Sequence, residues 1–337
     1  MALLEAHHLH VDLHTRRGTA PALRDISFTL ERGDTLGLIG ESGCGKTLTA
    51  LALIGLAPGS ARVSGSLKLD GAQLIGLNER GWQRVRGARI AMIFQEPMTA
   101  LNPVHRVGAQ IAEPLMLHRR LPAAQARARA IALLDRVGIA DAARRANNYP
   151  HQFSGGQRQR IMIAMALACK PDVLVADEPT SALDVAVQTQ ILALIRELVA
   201  ERGMALILIS HDLGLVAQHT RRMLVMYGGA VLERGTADEI FGQPAHPYTR
   251  GLLAARPSLA QRLLARRGER LPTIAGAVPD VHHLPPGCPF AGRCGLTEDP
   301  CFSDIPPTQA LSDTHRFSCR RADILLRAST PTACNDR

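Results

Sequence analysis

Gly40-Glu41-Ser42-Gly43-Cys44-Gly45-Lys46-Thr47 joins a short apolar run, Thr35–Ile39, to a stretch with helical character at residues 47–54. Glycines at 40, 43 and 45 let the backbone curl so that successive N–H groups point inward, a concavity that suits phosphate oxygens. The helix that follows adds the positive end of its dipole. Strand, glycine loop, Lys-Thr and helix is the order that a phosphate-binding loop requires. Lys46 is therefore expected to bridge the β- and γ-phosphates of a nucleoside triphosphate, and Thr47 to give its hydroxyl to Mg²⁺. Gly40, Ser42, Gly43, Cys44 and Gly45 form the cradle. Cys44 reads as a small side chain in a tight turn, and alkylation of its thiol is expected to block nucleotide binding.

Such a site also needs an acidic group to organise the metal. Residues 173–176 are wholly apolar and end in Asp177-Glu178. An isolated acidic pair would read as a helix cap. Beside a phosphate loop and at the end of a buried strand, Asp177 is expected in the Mg²⁺ shell and Glu178 beside an attacking water. Residues 173–176 and Ala205–Ile209 have the continuous apolarity of strands covered on both faces, separated by helix-length segments. Asp70-Gly71 and Gly228-Gly229 predict hairpins, and residues 122–137 repeat apolar positions at helical spacing. The fold class is α/β, and a boundary is expected near residues 242–247, where Pro, Cys and Arg increase.

The 337 residues carry 39 Lys and Arg against 30 Asp and Glu, a net charge of +9, with only 3% aromatics. Stacking on single-stranded nucleic acid needs aromatics among the basic residues, and residues 119–145 and 250–270 hold none. Solvated helix faces and an anionic membrane surface are the two readings left for the excess charge. No run reaches the ~20 uncharged apolar residues that span a bilayer. The first residues lack the basic segment and apolar core of a secretory signal, so a cytosolic placement is expected.

Ser154-Gly155-Gly156-Gln157 stands just before the helical run 158–168 and about twenty residues ahead of Asp177-Glu178. Ser154 and the N–H groups of Gly155 and Gly156 cap a helix whose start suits an anion. In this company the tetrapeptide resembles the signature of the ABC (ATP-binding-cassette) ATPase family. The resemblance implies a P-loop NTPase core with an antiparallel β subdomain and a helical signature subdomain, about residues 97–165, within a nucleotide-binding domain at 1–245. It implies a head-to-tail pair of cassettes, with two ATP molecules and Mg²⁺ at the interface. Gln95, following residues 90–94, matches the glutamine that senses Mg²⁺ and the attacking water. Ser181-Ala182-Leu183-Asp184 matches the loop that communicates across the pair. His211, after residues 205–210, matches the histidine that contacts the γ-phosphate. Where the family usually places an aromatic to stack on adenine, this chain has Val11-Asp12-Leu13-His14; Leu13 or His14 would have to pack on the base.

Glu96-Pro97-Met98-Thr99-Ala100-Leu101-Asn102-Pro103, His246-Pro247-Tyr248-Thr249 and Pro286-Gly287-Cys288-Pro289-Phe290 resemble the dipeptide and oligopeptide importers of this family. That resemblance implies a C-terminal extension at 246–337 and an ATPase that powers peptide import. The implied partners are a second ATPase, as a heterodimer, two transmembrane permease subunits and an extracytoplasmic solute-binding protein. It also implies a peripheral position on the cytoplasmic face of the membrane. Nickel and other solute importers share parts of the extension. A soluble ABC ATPase acting on nucleic acid is the alternative from another class.

Cys288, Cys294, Cys301 and Cys319 are four of the seven cysteines, spaced by five, six and seventeen residues. Disulfides are uncommon in the cytosol, and the spacing lacks the paired CxxC of common zinc sites. From the residues alone, zinc, an iron–sulfur cluster and unmetallated thiols all stay open. The family resemblance points to a [4Fe–4S] cluster with a structural role.

Overall fold

Alternating burial builds the first sheet, and one slip in the alternation shapes it. In β1 (Leu4–Thr15) the core-facing residues are Leu4 and Ala6, then Leu9 and Val11, so one extra residue intervenes. A bulge absorbs it: His8 adopts φ 48°, and the pairing with both neighbouring strands shifts there. Gly65 lies opposite because a Cβ there would stand 2.1 Å from the His8 carbonyl oxygen. The computed structural model describes residues 2–95, 100–181, 183–255 and 273–324. Glu96 to Thr99, Ala182, Cys334 and most of the basic run at 250–270 lie outside the described residues.

β2 (Gly18–Leu30) pairs with β1, and the chain then enters β3 (Thr35–Ile39). After helix α1 (Lys46–Leu53), β4 (Ala61–Leu69) and β5 (Ala72–Gln73) close an antiparallel sheet of order β2-β1-β4-β5. Asp70-Gly71 forms its last turn, as the sequence predicts.

The remaining strands are β6 (Ile90–Ile93), β7 (Val173–Asp177), β8 (Ala205–Ile209), β9 (Arg222–Tyr227), β10 (Ala230–Thr236), β11 (Thr308–Ala310) and β12 (Arg316–Ser318). With β3 they form an eight-stranded sheet of order β11-β12-β10-β9-β3-β8-β7-β6. β6, β7, β8, β3 and β9 run parallel, and β7 and β8 are buried along their whole length, which is why they read as unbroken apolar runs. Gly228-Gly229 turns β9 back antiparallel into β10.

Helix α2 (Glu79–Val85) precedes β6. Between β6 and β7 lie α3 (Val107–Arg119), α4 (Ala123–Arg136), α5 (Ala142–Arg145) and α6 (Gly155–Ala166). α4 buries Ala126, Ala130 and Leu134, four residues apart on one face, which packs toward α3 and α6. α7 (Val185–Arg202) and α8 (Leu213–His219) follow β7 and β8. α9 (Ala237–Gly242) and α10 (Pro247–Ala254) flank residues 242–247, where a boundary is expected. Beyond α11 (Pro300–Ser303), β12 returns to pair with β10, Glu233 opposite Phe317 and Arg234 opposite Arg316. The C-terminal extension therefore continues the central sheet. The pin at this junction is Glu233, fully buried: its carboxylate accepts from the Ala245 and His246 amides at 2.8 Å each and lies 2.7 Å from His315 Nε2.

Candidate active site

The loop after β3 has the left-handed backbone that its glycines permit, with φ 151° at Gly40, 80° at Gly43 and 102° at Gly45. At Gly40 no other residue fits, because a Cβ would sit 2.2 Å from the Met226 carbonyl oxygen. Lys46 opens α1 with its side chain folded back over the loop, donating to the carbonyls of Gly40 and Glu41 at 2.8 and 2.9 Å. Cys44 is fully buried beneath the loop, and burial pushes its thiol up from the usual range. Alkylation at Cys44 thus requires the loop to open first, which the sequence does not reveal.

Five segments line one cavity of about 310 Å³: Ser42, Gly43, Gly45, Lys46 and Thr47 from the loop and α1, Gln95 after β6, Glu178 after β7, Leu13 from β1 and Ala22 from β2. Asp177, at the end of β7, is 1% exposed. Burial raises its carboxyl above the usual range, the nearby Glu178 adds to this, and the Thr47 hydroxyl and Lys46 pull the other way. Its Oδ1 has no hydrogen-bond partner. A buried carboxylate oxygen left unsatisfied beside a threonine hydroxyl fits a divalent cation. Glu178 takes φ 45°, and its Oε2 lies 2.9 Å from His211 Nδ1. Ser181 bonds the carbonyls of both Gln95 and Glu178 at 3.1 Å, tying the two segments together.

The signature residues are elsewhere. Ser154 and Gln157 form a reciprocal capping box at the start of α6, with the Ser154 hydroxyl accepting from the Gln157 backbone N–H and the Gln157 side-chain Oε1 accepting from the Ser154 backbone N–H. Ser154 and Gly155 are exposed, and none of Ser154, Gly155, Gly156, Gln157 or Asp184 lines the cavity. Asp184 caps α7, accepting from the Val187 amide at 2.9 Å. His14 does not line the cavity either, whereas Leu13 does.

Sequence reading misses the contribution of the C-terminal extension. Arg293, 252 residues from Glu41, donates to both oxygens of that loop carboxylate, at 2.6 and 3.1 Å. The Glu41 amide donates to the Tyr248 hydroxyl at 2.8 Å. Tyr227 packs edge to face against Tyr248 and Phe290, which are tilted toward each other, with centroids 4.8 to 5.2 Å apart. Val278, Pro279, Val281 and Leu284 also line the cavity. The one signal in the sequence is the clustering of aromatics in a chain that has few.

Cys288, Cys294, Cys301 and Cys319 all border one small apolar cavity of about 20 Å³, and all four are free of disulfides. Burial pushes the Cys288 thiol up to about 12 and Cys319 to about 11. Among the described residues, however, no three Cys, His, Asp or Glu side chains are grouped as a metal-binding set. The expected metal centre is therefore gathered in outline and lacks a formed coordination geometry. The fully buried His246 borders the same cavity, and its Nε2 has no hydrogen-bond partner.

A parallel sheet with a phosphate loop on one strand, and an acidic pair ending a strand two places away, defines a P-loop nucleotide-hydrolysing cassette. Residues 23–181 match the family described as ABC transporter, and residues 232–301 match the oligopeptide/dipeptide transporter C-terminal region. The chain is 50% identical over 305 residues, 90% of each chain, to a Brucella abortus (strain 2308) protein named for peptide import and ATP binding. It is 46% identical over 319 residues, 94% of each chain, to the dipeptide transport ATP-binding protein DppD of Bacillus subtilis (strain 168). The dimeric cassette MJ0796, bound to ADP and Pi, superposes with a TM-score of 0.62 at 25% identity, covering 69% of this chain and 98% of its own. cbiO1 of Clostridium perfringens, part of an ABC transporter complex, superposes with a TM-score of 0.61 at 28% identity, covering 72% and 91%. The chain belongs to the ABC transporter family and is an ATPase subunit of that family.

Proposed function

We propose that this chain hydrolyses ATP to power peptide import through a membrane complex. The observation that carries the reading is the unsatisfied, buried Asp177 Oδ1 behind a cavity lined by Lys46, Thr47, Gln95 and Glu178, with His211 bonded to Glu178. Lys46 and the loop amides hold the phosphates, and Thr47, Gln95 and Asp177 hold Mg²⁺, which neutralises charge on the phosphates when bound. Glu178 orients and deprotonates the attacking water, and His211 fixes the Glu178 carboxylate. Ser154, Gly155, Gly156 and Gln157, with Asp184, act on the nucleotide of a second cassette. Ser154, Gly155 and Asp184 are exposed at the starts of two helices, and all five residues lie away from this chain's own cavity, which supports that assignment.

The nucleotide-binding domain spans 1–245 and the importer-type extension 246–337. Peptides are the cargo, because relatives aligned over nine-tenths of the chain carry that name. The partners are a second, different ATPase, two permease subunits and an extracytoplasmic binding protein, with this chain on the cytoplasmic face of the membrane. No helix among the described residues is long and apolar enough to cross a membrane. An apolar groove bordered by Leu56, Met92, Phe94, Leu117 and Met165 supports permease docking, since Leu56, Phe94 and Leu117 are exposed. The four cysteines around one cavity hold a structural [4Fe–4S] cluster. Thiolates are its usual donors, and a bound centre would offset the burial that raises the Cys288, Cys294 and Cys319 thiols.

The test is ATP hydrolysis by the complex purified from native membranes with its binding protein. Peptides should stimulate it, and Glu178→Gln should slow it by roughly 10²–10⁴-fold while ATP still binds. Peptide-independent turnover, or full activity of E178Q, would overturn the reading. Protein purified without oxygen should absorb near 400 nm and carry iron and labile sulfide; colourless, zinc-loaded protein would overturn the cluster.

A further inference from the structure

The cavity's lining has two different chemistries. Backbone amides, Lys46 and Thr47 make one part of its lining; Leu13 and Ala22 of the first sheet and Val278, Pro279, Val281 and Leu284 of the extension make another. Every side chain of that second part is aliphatic. The stretch where an aromatic would stack on the base carries none, yet an apolar slot is present beside the phosphate cradle.

The extension's part of the slot is held in place. His282 Nε2 lies 2.9 Å from the Thr15 hydroxyl at the end of β1, and Arg24 of β2 donates to the Pro285 carbonyl at 2.8 Å. Asp280 caps the short turn Val281–His283 by accepting from the His282 amide at 2.9 Å. Leu284 and Pro289 pack so closely over the Gly228-Gly229 turn that a Cβ on Gly228 would lie 3.0 and 2.7 Å from them. That turn is itself bonded to the loop, the Gly229 amide donating to the Cys44 carbonyl at 3.1 Å. The wall and the phosphate cradle are thus parts of one connected structure.

We propose that residues 278–284 of the C-terminal extension form one wall of the base-binding slot, holding the flat face of the nucleotide base against Leu13 and Ala22. This rests on the nucleotide-site reading above. An aromatic ring buries its faces favourably against aliphatic carbon, and the phosphate part contributes independently of it. The extension therefore acts in nucleotide binding, and its removal takes half of the base site with it.

The test separates base from phosphate. Binding of Mg²⁺-ATP and of Mg²⁺-tripolyphosphate, which has no base, is measured by calorimetry on the full chain carrying Val278→Ser and Val281→Ser together. ATP should bind roughly five- to thirtyfold more weakly, as expected for losing apolar contact over a ring face, and tripolyphosphate within about twofold of the unsubstituted chain. Unchanged ATP affinity, or equal weakening of both ligands, overturns the proposal; equal weakening would mean that the substitutions disturb the loop. Lys46→Ala keeps the two readings apart. It should weaken both ligands, and if it weakens neither, the phosphate-site reading itself falls, whatever the result at 278 and 281.

Discussion

Replacing Arg293 with Ala should destabilise the protein by about 3 kcal/mol. Its side chain is 6% exposed and donates to Glu41 at 2.6 and 3.1 Å, to the Tyr227 hydroxyl at 3.2 Å, and to the carbonyls of Ala275, Gly276 and Ile274 at 2.7, 3.0 and 3.3 Å. Truncation removes all six bonds and strands a carboxylate in the phosphate loop. A fully buried stranded charge costs roughly 3–5 kcal/mol. Glu41 keeps 30% of its side chain exposed, so solvent reduces that figure. Lost contact with the Tyr227 ring, 5.6 Å away, restores a fraction. At about 2 °C per kcal/mol for a chain of this size, the midpoint should fall by about 6 °C. Urea unfolding of R293A, E41Q and the double variant gives the coupling. The double variant should lose at least about 1 kcal/mol less than the sum of the singles, because the two groups share their bonds. A loss below about 1 kcal/mol for R293A, or strict additivity, would refute the reasoning.

The Glu239 carboxylate is held down to about 2: burial pushes it up, but hydrogen bonds from Ser312, Thr314 and the Thr236 amide and hydroxyl outweigh that. A depressed carboxylate contributes stability above its unfolded value and loses it as pH falls from about 4.5 to about 2. Glu239→Gln should therefore flatten the acid limb of a stability-versus-pH curve in that window, and an unaltered slope would count against these bonds. Cys44 should resist iodoacetamide at pH 8 in the folded chain and react on unfolding; modification that is complete under native conditions and leaves ATP binding intact would contradict its burial. Leu117→Asp, at a side chain 68% exposed beside the apolar groove, should abolish co-purification with membranes and leave ATP affinity within about twofold, since surface changes away from a site alter little. Retained membrane association would remove the groove from the permease interface.

The sequence by itself determined the glycine loop after β3, the acidic pair after a buried strand, the hairpin turns and the helix that Ser154 caps. Each of these is encoded within a few adjacent residues: glycines that alone accept positive φ, a strand legible from unbroken apolarity, a Ser and Gln that cap one helix reciprocally. Local encoding also made the strand–helix alternation readable. Three things were decided only in three dimensions. Arg293 reaches Glu41, Leu284 covers Gly228, and β12 lengthens the sheet that β3 began. An arginine, a leucine or a three-residue strand has no local pattern that names its partner, because the free energy of these contacts comes from desolvation and pairing with groups far along the chain. The four cysteines stand between the two cases. The sequence shows that they are near one another, and folding gathers them around one cavity, but the described structure does not bring them into a coordination set. Donor type is a property of composition, whereas ligand geometry is a property of the packed backbone.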